Sequence, residues 1–267
     1  MTSSGPSPRH TTARARALLS RSLGQWWRML HFGAEMLTLA GRHSSYRGDQ
    51  WPLLARQIVQ ATLPNLWWFI LLAALASLVI TRIVVVTALS YGLSRYALEM
   101  VIRVLVLELI PLAAAFFIAI HYALPAGAEI VALRSRGVFD DLRRRGLNPA
   151  QRELVPRVLA GIFAVLTLAA AAGVVALVLA YVVVHGFSPW GLPGYTRTVG
   201  HVLSPAVALV FLLKTLFFSL AVSLVPPASA MTETTRRARS GPELQGLFRM
   251  LAAMVLIELG SLMVNYI

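Results

Sequence analysis

Three charged side chains stand inside strongly apolar sequence, where they could hold charge away from water. Glu108 lies in "VLELIP", Lys214 in "FLLKTLFF" and Glu258 in "LIELG". An isolated charge in the middle of a membrane helix costs at least about 2.5 kcal/mol, so each group needs a partner, a water-filled cavity or a neutralising change of protonation. At a common depth, Lys214 could pair with Glu108, with Glu258 or with both.

Such an intramembrane charge network has two interpretations. It can be a buried ion pair that only determines how the helices pack. It can also be part of a switch that rearranges during transport, because a buried pair is costly to break and therefore favours discrete states. The sequence leaves both interpretations open.

No catalytic chemistry is indicated elsewhere in the chain. Lys214 is the only lysine, and it lacks the glycines of a GxxxxGK[ST] phosphate-binding loop. "GFSPWG" (186–191) departs from a GxSxG nucleophile turn because Trp190 replaces the last glycine of that pattern. The chain has no cysteine, and its six histidines show no metal-ligand spacing. We therefore expect no catalytic residue, metal or cofactor in this chain, so energy for transport must come from a gradient or another subunit.

A charged segment, "GVFDDLRRRGLNPAQRELVPR" (137–157), separates two apolar stretches. Phe139 and Leu142 can share one face of a short helix, which "GLNP" at 146–149 would end. The pattern predicts a cytoplasmic helix over about residues 136–146 with an apolar tip and a charged collar, suited to docking into a groove on a soluble partner. The collar consists of Asp140, Asp141, Arg143, Arg144 and Arg145.

These groups must be positioned by membrane-spanning helices. The 267-residue chain is 57% hydrophobic and 13% charged, with a mean hydropathy of +0.70, which is typical of a membrane protein. A helix needs about 20 apolar residues to cross a bilayer. Five such stretches predict an all-α protein with five transmembrane helices and termini on opposite sides. The predicted spans are about 64–86, 101–128, 158–184, 202–225 and 246–266.

The arginines predict the orientation, because basic loops stay in the cytoplasm. Residues 1–60 hold eight arginines, residues 129–157 seven and residues 226–249 four, whereas the two opposite loops hold one each. We expect the N-terminus inside and the C-terminus outside. The net charge of +13 comes mainly from these membrane-facing segments, so we expect no nucleic-acid partner.

The sequence before the spans divides into two parts. Residues 1–13 are polar with two prolines and predict a disordered tail. Residues 14–60 predict interfacial helices that lead into the five-span domain, residues 61–267.

An amphipathic pattern supports the interfacial helix. Trp26 and Trp27 fall on an apolar stripe, whereas Arg21 and Arg28 fall on another face. This arrangement predicts a helix that rests on the membrane surface with its arginines near lipid phosphates. The alternative is a helix packed against the spans without a lipid role.

Five short motifs occur at defined spacing in the spans and in the loop between them. They read "ELIP" (108–111), "PAGAE" (125–129), "FDDL" (139–142), "GLNP" (146–149) and "VPRVLAG" (155–161). These motifs resemble the MlaE/YrbE permeases of ABC-type lipid transporters associated with MCE proteins. The resemblance covers about residues 60–267, and its signature residues are Glu129, Pro149, Pro156 and Arg157. The fourth and fifth spans, around Lys214 and Glu258, are also similar to those of the family.

The resemblance implies the MlaE-like fold and a non-catalytic permease subunit in a bacterial inner membrane. The implied substrate is phospholipid or a similar hydrophobic molecule that moves between inner and outer membranes, as in the maintenance of outer-membrane lipid asymmetry. The implied assembly is a homodimer, with a heterodimer left open, and its partners include a periplasmic MCE protein and a small cytoplasmic accessory subunit. A cytoplasmic ABC ATPase would hold ATP and Mg and receive the coupling helix, through Phe139, Asp140, Asp141, Leu142 and Arg143.

Departures from the family pattern include His121, Gly137 and Leu107. Two other functional classes remain as alternatives. One is a gradient-driven secondary transporter that uses the Glu/Lys network as a proton relay, although five spans without an evident inverted repeat speak against it. The other is a membrane scaffold that recruits soluble proteins without transporting anything.

Overall fold

The computed structural model describes residues 50–232 and 242–266, together with residues 24, 27 and 31–41. Within these ranges the regular elements are all helical. Five helices are long and apolar enough to cross a membrane, so the prediction of a five-span, multi-pass membrane protein is confirmed. They are Trp51–Ser90, Tyr96–Ser135, Ala150–His185, Pro205–Met231 and Gly246–Val264.

The α-helices are numbered in chain order. They are α1 (31–41), α2 (Gln50–Ser90), α3 (Ser94–Val101), α4 (Ile110–Ile118), α5 (Leu124–Ser135), α6 (Val138–Arg144), α7 (Val155–His185), α8 (Leu192–Val202), α9 (Pro205–Thr232) and α10 (Pro242–Tyr266). Wider π-helical turns occupy Ile102–Leu109, Ala119–Ala123 and Ala150–Leu154, and a 3₁₀ turn occupies Pro189–Gly191. The second span is therefore one continuous helix, from α3 through α5, with two π segments inside it.

Each π segment is followed by a proline at the second position of the next α-helix. These prolines are Pro111, Pro125 and Pro156. A proline inside a helix has no N–H to donate, and its ring clashes with the carbonyl four residues earlier. A π turn widens the backbone at that point and relieves the clash, so the helix continues.

The main core lies where the second span, α2, α7 and α9 meet. Ala172, Ala176 and Ala180 of α7 are completely buried within this core. Small side chains at this spacing allow close helix packing, and here they serve packing inside the chain. Two glycines likewise allow α9 to pack closely against its neighbours. A Cβ on Gly127 would stand 3.0 Å from Pro226, and one on Gly161 would stand 2.5 Å from the Ser223 hydroxyl.

A second, smaller core lies at the end of the bundle that carries α6. It joins α1, α5, α6, the start of α7 and the end of α9. Its buried members are Met36, Ile130, Phe139, Leu154, Val155 and Ala230. The amphipathic segment before the spans is thus packed against the same group of side chains as α6.

The second and third spans run beyond their predicted bounds, as Tyr96–Ser135 and Ala150–His185, and two further differences change the arrangement of the chain. The first span begins at Trp51, because the amphipathic segment before Pro64 continues the same helix through that proline. A short helix, α8, precedes the fourth span, which starts at Pro205. Because α7 runs from α6 to the 3₁₀ turn, α8 lies at the opposite end of the bundle from α6. The orientation in the membrane stays a prediction.

Candidate functional site

Glu108, Lys214 and Glu258 meet inside the bundle and are termed the charge triad. Lys214 Nζ donates a hydrogen bond to Glu108 Oε2 and lies 2.9 Å from Glu258 Oε2. Lys214 is only 2% exposed. It follows Pro205 by about 14 Å along α9, close to half the thickness of a bilayer core. The expectation that Lys214 pairs with one or both carboxylates is met, and both contacts are present.

The triad fastens three spans to one another. Glu108 lies on the π segment of the second span, Lys214 on α9 and Glu258 on α10. The ring of Phe218, centred 5.8 Å from Lys214 Nζ, covers the ammonium group on another side. Breaking a buried pair by removing one partner costs about 3–5 kcal/mol. The contacts therefore favour one discrete arrangement of these helices, whereas rearrangement during transport stays a prediction.

A second group of charges closes the base of the loop that carries α6. Arg157 Nη1 lies 2.7 Å from Glu153 Oε2, and Arg157 Nη2 lies 3.3 Å from Glu129 Oε1. Arg157 is 8% exposed. Because Glu129 precedes the loop and Arg157 follows it, their pair joins α5 to α7, whereas the pair with Glu153 is local, four residues apart. Glu129, Glu153 and Arg157 are termed the loop-base cluster.

Tyr122 extends the loop-base cluster toward the first span. Its hydroxyl lies 3.2 Å from the carbonyl oxygen of Arg157 and 3.4 Å from Gln57 Oε1. Gln57 belongs to α2, and Tyr122 lies on the second π segment of the second span. The first three spans thus share one polar contact region near the base of α6.

Arg134 links the same region to α9. Its Nη1 donates hydrogen bonds to the carbonyl oxygens of Ala230, at 3.2 Å, and Met231, at 2.9 Å. The last carbonyls of a helix lack intrahelical donors and carry partial negative charge, so an arginine there stabilises the helix end. α5 is therefore fastened to α7 by Glu129 and to α9 by Arg134.

The α6 helix is bounded by glycines in the left-handed region, Gly137 and Gly146, both with φ of 74°. Between them, Phe139 and Leu142 are 4% and 9% exposed. Both side chains are turned toward the bundle, and Phe139 belongs to the small core. The prediction of an exposed apolar tip is therefore wrong. The apolar face holds α6 against the bundle, because α5, α7 and α9 of the same chain present apolar side chains to it.

The charged face of α6 is exposed. Asp140 and Asp141 lie in its first turn and Arg143 and Arg144 in its last, which suits the helix dipole. Arg143 Nη1 lies 3.6 Å from Asp140 Oδ1, and Arg145 Nη2 lies 2.9 Å from Asp141 Oδ2. All four side chains in these pairs are more than half exposed. Surface pairs are worth about 0–1 kcal/mol, so a partner could exchange them at little cost.

The two signature prolines have structural positions next to the loop-base cluster. Pro149 precedes the third π segment, and Pro156 lies at the second position of α7, beside Arg157. Pro149 prevents α6 from continuing toward α7, and Pro156 sets the wide turn that carries Glu153.

The interfacial-helix residues are only partly described. Arg21, Trp26 and Arg28 lie outside the described residues, and Trp27 is 73% exposed. In α1, Met36 is buried against the small core. The later part of the predicted helix is thus packed against the bundle, and the membrane-surface role of the earlier part stays a prediction.

Sequence reasoning missed Arg134, Tyr122 and Glu153. One signal could have found two of them. Each proline that follows a π segment has a polar residue three positions earlier, namely Glu108, Tyr122 and Glu153. No comparable signal separates Arg134 from the exposed Arg136.

The chemistry of the site is that of fixed ion pairs and an exposed charged helix. Among the described residues, no group of three or more His, Asp or Glu could hold a metal ion. Comparison with protein families gives a match to the family described as Permease MlaE over residues 54–265. No curated protein matched the chain. The family match includes the charge triad, the loop-base cluster and α6.

Proposed function

The chain belongs to the MlaE permease family, and from this premise we propose that it is the membrane permease subunit of an ABC transporter for phospholipid or a similar hydrophobic molecule. Family membership indicates a non-catalytic transporter subunit in a membrane. We propose further that two copies act together, in the inner membrane of a bacterium. A cytoplasmic ATPase would supply energy from ATP and Mg, and a periplasmic MCE protein would carry the lipid toward the outer membrane.

The exposed charged face of α6 is the observation that carries the proposal. Asp140, Asp141 and Arg143 are accessible on one side, while Phe139 and Leu142 hold the other side against the bundle. A short helix fixed in this way transmits force, because displacing it requires moving the helices to which it is packed. A solvated loop with the same charges would move alone.

The contacts define a route from α6 to the middle of the membrane. α6 packs beside α5, which is joined to the end of α9 through Arg134. α9 is helical from there to Lys214, about 24 Å away at 1.5 Å per residue. Movement of α5 by a partner would therefore tilt α9 and strain the ion pairs of the charge triad. The proposed mechanism is that ATPase closure reshapes a lipid cavity along this route.

Charge reversal on α6 tests the proposal. The variant Asp140→Lys/Asp141→Lys should lower lipid transfer and lipid-stimulated ATP hydrolysis at least tenfold in the reconstituted complex. Membrane insertion and thermal stability should stay unchanged, because the two side chains are exposed and their own ion pairs contribute little. Both activities and the melting temperature are measured on the same preparations.

Glu35→Lys is the matched control, because Glu35 is an exposed acidic residue of α1 at the same end of the molecule. It should leave both activities within twofold of the parent protein. Full lipid transfer by the α6 variant would count decisively against a coupling role for α6.

A gradient-driven secondary transporter is the second candidate, and the charge triad favours it. Two carboxylates around a single buried lysine form a group that could exchange a proton during transport. The purified chain alone, in liposomes with an imposed proton gradient, separates the two candidates. Proton-linked uptake without any ATPase would establish the secondary transporter, whereas the ABC proposal requires that none occurs. A complex that assembles but transfers no lipid would indicate a scaffold.

A further inference from the structure

Two aromatic side chains at the end of the bundle opposite α6 have no role in the proposed function. Phe187 and Trp190 lie in the turn between α7 and α8 and are 92% and 91% exposed. Side chains of this size are seldom left so open unless another molecule or a membrane covers them.

The turn that carries these aromatics is fixed to α7. Gly186 ends α7 with φ 65° and ψ −149°, a conformation that only glycine adopts readily. The hydroxyl of Tyr181 donates a hydrogen bond to the carbonyl oxygen of Ser188. Gly191 lies so close to the ring of His185 that a side chain there would overlap it. The backbone is therefore held in place while Phe187 and Trp190 project outward.

The neighbouring α8 has one face on the bundle and one face open. Tyr195 and Val202 are buried, and the Tyr195 hydroxyl donates a 2.6 Å hydrogen bond to the carbonyl oxygen of Leu177. Burial raises the pKa of Tyr195 to about 12. Arg197 and His201, four residues apart on the opposite face, are exposed. α8 thus presents basic side chains at the same end of the bundle as the two aromatics.

The length of α7 sets the depth of this surface. Arg157 and His185 are separated by 28 positions of sequence, or about 42 Å along the helix. A bilayer with its headgroup layers measures about 40–45 Å. With Arg157 at one headgroup layer, the turn after His185 reaches the other. Two exposed tyrosines, Tyr91 and Tyr96, lie at the same end, as in the aromatic belts of membrane proteins.

We propose that Phe187, Trp190, Arg197 and His201, together the distal surface, lie in the headgroup layer of that leaflet and bind phospholipid there. The aromatic rings enter the boundary between headgroups and acyl chains. Arg197 donates charge-assisted hydrogen bonds to lipid phosphate. No acidic residue occurs from 154 to 232, so this part of the chain attracts anionic headgroups. The inference does not depend on the ATPase or on the direction of transport.

A single fluorescent position tests the depth of the distal surface. Because the chain has no cysteine, Trp190→Cys labelled with an NBD dye reports on one site in lipid nanodiscs that contain the chain alone. Phospholipid carrying a spin label near the headgroup should quench this dye at least twofold, and aqueous iodide should quench it little. Arg144→Cys is the control, since Arg144 is exposed on α6 at the other end of the bundle. Its dye should remain open to iodide.

The contribution of Arg197 to the binding of anionic phospholipid is measured in the Trp190→Cys variant. Spin-labelled phosphatidylglycerol should quench about twice as strongly as spin-labelled phosphatidylcholine. Arg197→Glu should abolish this preference, whereas Arg144→Glu, at the other end, should retain it. Iodide quenching at 190 equal to that at 144 would overturn the proposal, as would equal quenching by both lipids with Arg197 present. If the dye at 190 becomes shielded from iodide only after a periplasmic protein is added, the distal surface binds protein and the lipid proposal is wrong.

Discussion

Lys214 is held between two carboxylates, so the substitutions available at the charge triad have unequal consequences. Lys214→Met leaves Glu108 and Glu258 facing each other in an apolar environment, and we expect it to lower the free energy of unfolding by about 3–5 kcal/mol. Glu258→Gln should cost less, because the bond between Lys214 and Glu108 remains. Thermal unfolding in detergent, followed for each variant under one set of conditions, checks this order.

The triple variant Glu108→Gln/Lys214→Met/Glu258→Gln separates the two interpretations of the triad. Replacing a whole buried ion pair by neutral groups is often tolerated far better than removing one partner, so stability should recover toward that of the parent protein. If lipid transfer recovers with stability, the triad only sets the packing. If stability recovers and transfer does not, the charges take part in the transport cycle. Equal stability of the Lys214→Met and triple variants would contradict the ion-pair account itself.

At the same scale, Lys214 and Phe139 show what the sequence could predict. Lys214 is a charge in an apolar run, so its need for a partner follows from solvation alone, and the helix lengths bring Glu108 and Glu258 to its depth. Phe139 was identified correctly as part of an apolar helix face. The direction of that face was not accessible, because it depends on where α5, α7 and α9 present apolar surface. That is a tertiary property, and periodicity along α6 does not contain it.

The proline-linked π segments make a prediction at the scale of single elements. Glu108 lies on a π segment that ends at Leu109, and Pro111 lies two residues after that end. Pro111→Ala removes the ring that prevents a regular α-helix there, so the segment can tighten and turn Glu108 away from Lys214. We expect a loss of stability, measured by thermal unfolding, although alanine is the better helix former.

A double-mutant cycle shows whether that loss acts through Glu108. Pro111→Ala combined with Glu108→Gln should cost clearly less than the sum of the two single changes, with a coupling of about 0.5–3 kcal/mol. Pro64→Ala in α2 is the control, because Pro64 lies within a helix and is not preceded by a π segment. Strict additivity between Pro111→Ala and Glu108→Gln would mean that the π segment does not position Glu108.

The sequence predicts the five long spans well and the short helix α8 poorly. Long apolar runs determine the five spans, because only a helix satisfies the backbone in lipid. α8 was missed, since residues 192–202 form a short helix that contains two glycines and a proline, which are poor helix formers. α8 is fixed instead by contacts with α7 through Tyr195 and Leu177, which sequence patterning does not reveal.

For the whole molecule, the arginine distribution predicts that α6 faces the cytoplasm. The absence of cysteine allows a direct measurement with single-cysteine variants. In intact cells without an outer-membrane barrier, a membrane-impermeant thiol reagent should label Ser90→Cys, where α2 ends. It should label Arg144→Cys only after the inner membrane is permeabilised. Both positions are exposed in the structure, so accessibility reports the side of the membrane. The reverse pattern would remove the basis for an ATPase at α6.

In the proposed mechanism, movement passes from α5 to α9 through the hydrogen bonds of Arg134, and Arg134→Gln would remove them. Arg134→Gln should lose the charge-assisted contacts to the α9 carbonyls while α6 stays packed through Phe139 and Leu142. ATP hydrolysis by the reconstituted complex should then stay within about twofold of the parent, because the ATPase still meets α6. Lipid transfer should fall about tenfold, which corresponds to about 1.4 kcal/mol of lost coupling.

Arg136→Gln is the matched control for this uncoupling, since Arg136 lies two residues away but is exposed. It should preserve both hydrolysis and transfer. Hydrolysis without transfer in the Arg134 variant alone would place the transmission route in the contact between α5 and α9, because the charge removed is the same in both proteins. If both variants transfer lipid at the parent rate, motion reaches α9 by another path, such as the close packing of Gly127 on Pro226 or the small core.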